Sequence, residues 1–123
     1  MRFYSFLVLT LLLSGPALAQ PFSQSMAQCA GLYDAVEGFL SRPDRKAKLA
    51  VAAAAFGAAA VAEARTEGQD DPEGWVQGHR DAMRADWETR GKWSAFSAEY
   101  RDWTAYCAKF AKDRGIDLDL DLD

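Results

Sequence analysis

The sequence predicts an all-α protein: a four-helix up-down-up-down bundle with one disulfide between the first and last helices. Three observations predict it. Apolar residues recur at helical spacing along almost the whole chain beyond residue 21. Proline, glycine and capping residues interrupt that pattern near residues 41–44, 66–71 and 91–92. The two cysteines, Cys29 and Cys107, fall at matching heights on the first and last segments.

The N-terminal stretch reads as an export signal. Arg2 precedes an uncharged apolar run from Phe3 to Leu13, and Ala17-Leu18-Ala19 supplies a small-x-small cleavage site, so residues 1–19 are assigned to a signal peptide and the mature chain to Gln20 onward. The run is broken by Ser14, Gly15 and Pro16 and falls short of the ~20 apolar residues a bilayer span needs. A periplasmic or secreted protein is expected, with no membrane span after cleavage.

The first helix is expected over 22–41, where Phe22, Met26, Cys29, Tyr33, Val36 and Leu40 form a stripe of alternating four- and three-residue steps. Ser41-Arg42-Pro43 stops it, because the residue before proline resists the helical region. Asp44 is the expected cap of a second helix, 44–66. That helix carries LAVAAAAFGAAAVA, uncharged over residues 49–62 and therefore ~21 Å long. Ala53, Gly57 and Ala60 should let a neighbour approach closely. A third helix, 71–90, starts at Asp71-Pro72-Glu73 and sets Val76, His79, Met83 and Trp87 on one side. Gly91-Lys92 marks a break. The fourth, 93–114, has an aromatic stripe of Trp93, Phe96, Tyr100, Trp103, Cys107 and Phe110, expected to be core. Its large rings should rest on the alanine-glycine face of the second helix. Gly115 ends it.

In an up-down-up-down bundle the first and fourth helices lie side by side and antiparallel. Cys29 stands about seven residues after the start of one and Cys107 about seven before the end of the other, so a bridge between them is expected. Closing a loop of 78 positions contributes about 4 kcal/mol in the chain-entropy account. An even cysteine count in a small exported domain fits an oxidising compartment.

Charge narrows the function classes. The mature chain holds 13 basic and 18 acidic residues, and four of the acids are Asp117, Asp119, Asp121 and Asp123 of the terminal GIDLDLDLD. The one basic cluster, Arg42, Arg45, Lys46 and Lys48, is too short for a nucleic-acid surface. No Gly-x-Ser-x-Gly elbow, phosphate-cradling loop or Cys-x-x-Cys pair occurs, so no enzyme and no cofactor are expected. His79-x-x-x-Met83 places an imidazole and a thioether on one helix face, a pairing suited to copper(I), with Met26 a third candidate ligand. In the tail, Ile116, Leu118, Leu120 and Leu122 alternate with the aspartates. Aspartates ~6.6 Å apart along one face cannot enclose a calcium ion that holds oxygens at about 2.4 Å. A solvated, flexible tail, 116–123, is the principal expectation. A helix extension or packing on the bundle is one alternative, and addition as an edge strand to another protein's sheet is the other. The function expected from all this is binding of another protein, as an inhibitor, immunity or chaperone-like factor, with copper carriage the second reading.

Overall fold

The computed structural model describes residues 20–120. They form α1 (Phe22–Phe39), α2 (Pro43–Thr66), α3 (Pro72–Arg90), a 3-10 helix (Lys92–Phe96) and α4 (Ala98–Arg114), with no strand among the described residues. The assigned signal segment, Asp121, Leu122 and Asp123 lie outside them.

Helix boundaries follow local chemistry. Pro43 occupies the first position of α2, where its fixed φ suits a helix and its missing N–H is not needed. Asp44 therefore sits in the first turn instead of serving as the cap. Asp71 caps α3 by accepting a hydrogen bond from the Gly74 N–H at 3.1 Å. Gly91 adopts φ 81° and ends α3, so the expected break is present. The fourth helix begins later than expected. Residues 92–96 form a 3-10 turn, and Ser97 caps α4 by accepting from the Tyr100 N–H at 3.1 Å.

The helices alternate in direction. Ser23 near the start of α1 meets Glu67 just past the end of α2, Arg65 meets Glu73 across the α2–α3 turn, and Arg90 at the end of α3 pairs with Glu99 at the start of α4. Along α4, Tyr100 lies on the Trp87 ring, Cys107 bonds Cys29, and Phe110 packs edge-on to Phe22. The up-down-up-down order and the disulfide between the first and last helices are as the sequence predicts.

The packing is less symmetric than a square bundle. α1 is the hub, lying mainly against α2 and α3 and more lightly against α4. It is buried nearly all round: besides the stripe of Met26, Cys29, Tyr33 and Val36, the residues Ser23, Ala27, Ala30, Gly31, Leu32 and Ala35 are inside. A helix enclosed in this way needs small residues where neighbours cross. A Cβ at Gly31 would collide with the carbonyl oxygen of Arg80 and come within 2.9 Å of the Met83 Cβ, so α3 rides directly on the α1 backbone there.

Gly57 serves a different purpose from the helix contact its sequence suggests. It makes room for the Arg80 guanidinium, whose Nη1 lies 2.7 Å from the position a Cβ would take. The same guanidinium forks onto Asp34 of α1, donating from Nε at 2.6 Å and Nη2 at 2.8 Å, so one arginine ties three helices. At the other end of the bundle Ser23 is fully buried. Its N–H and hydroxyl both donate to the Glu67 carboxylate, and the Trp75 indole donates to its oxygen at 3.0 Å. A carboxylate just past the end of α2 thus satisfies a free N–H at the start of α1 and meets the positive end of its dipole.

The aromatic stripe expected on the fourth helix enters the core only in part: Tyr100, Trp103 and Phe110 are half-buried against it, while Trp93 and Phe96 are exposed. Only Cys107 and Ala111 of α4 are fully buried, and the small face of α2 is covered by α1 and Arg80 instead of by large rings. α1 is already enclosed on two sides by α2 and α3, so one strip of it remains for α4. The side of α4 that meets that strip runs through Tyr100, Thr104, Cys107 and Ala111, turned about one position from the aromatic stripe.

Candidate functional site

Of the residues the sequence singles out, Cys29 and Cys107 come together, bonded with Cα atoms 5.7 Å apart. The His79, Met83 and Met26 set does not form an open site. Met83 and Met26 are buried in the core, Met83 against Gly31, and His79 is half-buried with its ring edge-on to Trp75 at 4.4 Å. No group of three His, Cys, Asp or Glu side chains able to hold a metal occurs among the described residues.

The tail departs from the solvated segment we expected. Gly115, at φ 69°, turns the chain off α4, and the Ile116 N–H returns to the Ala111 carbonyl at 2.8 Å, which sets the course of the tail from its first residue. Ile116, Leu118 and Leu120 are then half-buried against the core. The segment does not become a strand. Asp117 accepts from the Asp119 N–H at 2.9 Å, closing a local turn, and Asp119 takes φ 51°. Leu122, the last of the tail candidates, lies outside the described residues.

The tail runs along a groove of about 830 Å³ between the first half of α2 and the length of α4. Tyr33, Val36 and Leu40 of α1 lie along it, with Leu49 on one side and Tyr100, Thr104 and Ala111 on the other. Its rim is charged: Arg42, Arg45, Lys48 and Lys112 line it together with Asp44, Asp117 and Asp119, and Arg42 pairs with Asp44 at 3.1 Å. Burial, with the nearby Tyr100 phenol adding to it, pushes the Tyr33 hydroxyl up to about 12. Burial likewise raises Tyr100. Both phenols are neutral near pH 7, so the groove presents uncharged donors inside and charges of both signs at its mouth.

A second surface lies on the other flank of α4. Trp103 meets Tyr106, Tyr106 meets Phe110 and Phe110 meets Phe22, with successive ring centroids 5.7, 5.8 and 5.9 Å apart. Trp93 and Phe96 project from the 3-10 turn, 74% and 75% exposed and 6.0 Å from each other, and Tyr106 is 44% exposed. Of these rings the sequence assigns Trp93, Phe96, Trp103 and Phe110 to the core; the last two are half-buried against it, whereas Trp93 and Phe96 are not. The signal that separates the first two from core residues is Ser97. It is a good cap inside the supposed helix, and reading it as one detaches Trp93 and Phe96 from the periodic stripe.

α2 is the one described helix long and apolar enough to cross a membrane by length and composition. In the fold Leu49, Ala53, Phe56 and Ala60 on one side of it belong to the core. The disulfide is consistent with an oxidising extracellular or periplasmic compartment. Compared with known proteins, the chain matches no family model, no curated protein and no solved structure.

Proposed function

We propose that the chain is an exported, non-enzymatic factor that binds another protein through the aromatic ridge of the 3-10 turn and α4. The observation that carries this reading is the exposure of Trp93 and Phe96. Leaving two large rings in water costs apolar burial that a small core needs. Large aromatic side chains grouped on a surface mark protein contacts, and tryptophan and tyrosine lead the residues whose truncation most weakens binding. Around the ridge, Glu99 and Asp102 alternate with Lys92, Arg101 and Lys109. Such mixed charge suits the rim of a protein interface, whereas an anionic bilayer would call for a basic field. A non-catalytic role is supported by what two of the carboxylates do: Asp34 holds Arg80 and Glu67 holds Ser23, both as ties between helices. Export to the periplasm or beyond rests on the N-terminal signal pattern and accords with the disulfide.

The test is affinity capture from periplasmic extract with the wild type, with Trp93→Ala/Phe96→Ala, and with Val51→Ala as an exposed apolar control elsewhere. A partner held by the wild type and the control should be lost by the double variant, with at least a 30-fold weaker Kd, as removal of about 2 kcal/mol of central contact implies. Identical partners for all three would defeat the proposal. Vesicle binding by the wild type that disappears in the double variant would assign the ridge to a membrane instead.

A further inference from the structure

The groove beside the tail carries an inference independent of the aromatic ridge. We propose that it is a binding site for an extended segment of another protein in which apolar and acidic residues alternate, and that residues 116–120 occupy it in cis as a displaceable strap. Three features support this. First, a segment of that chemistry already lies there: Ile116, Leu118 and Leu120 pack toward the core while Asp117 and Asp119 are exposed. Second, the rim is complementary, since Arg45 of α2 and Lys112 of α4 line the same groove as the tail aspartates, with Arg42 beside them already paired to Asp44. Third, the strap fits it incompletely. With the tail in place about 830 Å³ stays open, enough for further side chains. The tail also leaves its extended course at Asp119, a non-glycine residue at φ 51° whose N–H is held by Asp117 and not by the groove. A foreign segment able to stay extended would bury more of its apolar face without that turn.

The probe is a fluorescent peptide with the chain's own terminal sequence, GIDLDLDLD, titrated into full-length protein. The wild type should bind it weakly, because its strap competes. Leu118→Asp/Leu120→Asp, which removes the strap's apolar grip, should bind at least tenfold tighter, and adding Arg45→Glu should reverse most of that gain. A peptide of identical composition with leucines and aspartates in two blocks should bind at least tenfold more weakly than the alternating one. Equal affinity of wild type and strap variant, or equal affinity for the two peptides, overturns the proposal. Should the strap variant not fold, hydrogen exchange on the wild type decides the matter: saturating peptide should accelerate exchange at residues 116–120, and unchanged exchange there rejects it. Concentration-dependent dimerisation of the wild type, with tails passing between copies, would reassign the groove from a foreign segment to a second copy of this chain.

Discussion

Gly31 and Gly57 are both glycines inside helices, and the atoms facing them are different in kind. Opposite Gly31 stands the Arg80 carbonyl, which belongs to the α3 backbone and cannot move unless the helix does. Opposite Gly57 stands the end of the Arg80 side chain, which is flexible enough to retreat. Gly31→Ala should therefore lower stability by about 2–3 kcal/mol, the range for overpacking in a closed core. Gly57→Ala should cost about 1 kcal/mol or less, because alanine's better helix propensity offsets part of the disturbed Asp34 contact. Urea unfolding of the two variants checks the order, and a reversed order would contradict the direct crossing of α1 by α3. Sequence reasoning identifies Gly57 as a point of close approach but does not anticipate the guanidinium, since no periodicity reveals which long side chain will reach across from another helix. It passes over Gly31 entirely. Flanked by Ala30 and Leu32 and outside the apolar stripe, that residue looks like an ordinary weak point in the helix until the neighbour on its blind side is known.

Among the elements, α4 is held differently from the rest. Apart from Cys107 and Ala111 its side chains are half-buried or exposed, and its covalent bond to α1 provides an attachment that burial does not. Reduction should accordingly release α4 before it melts the remainder. Hydrogen exchange under a thiol reductant is expected to rise first across 98–114, with α1 to α3 still protected, at a loss of up to about 4 kcal/mol for a bridge spanning 78 positions. Uniform loss of protection in all four helices would show that α4 contributes more to the common core than its exposure suggests. Most caps, the proline positions and the bridge are legible because each depends on a few adjacent residues or on a count along the chain. The inward face of α4 is not, since an aromatic stripe and the Tyr100, Thr104, Cys107, Ala111 line are nearly coincident. Which of them turns inward is decided by how much of α1 is already covered. The acidic tail is misjudged for a related reason. Its aspartates argue for solvent, but a leucine at every second position finds a groove when the helices leave one open.

For the molecule as a whole, Tyr33 links stability to alkaline pH. It is 4% exposed, and its hydroxyl, ordinarily titrating at 10.0, is pushed up to about 12 by burial and by the neighbouring Tyr100. Between those values the unfolded chain gives up this proton while the folded chain keeps it, so the contribution is complete below pH 10 and disappears as pH climbs toward 12. Denaturant midpoints should fall across that window, and Tyr33→Phe, which has no proton to lose, should flatten the fall. An unchanged slope in the variant would mean that other groups govern the alkaline transition. The bundle class and its disulfide can be read from the sequence because they rest on period and spacing. The hub arrangement cannot, being a property of how three other helices share one surface. That arrangement also bears on biogenesis. The helix destined for the centre is the first of the four to emerge during synthesis, and α3, which covers one side of it, begins only at Pro72. A nascent chain stalled after α2 would display a half-clothed α1, so productive assembly must wait for α3 to follow, and products truncated before it should be the ones that cells clear fastest.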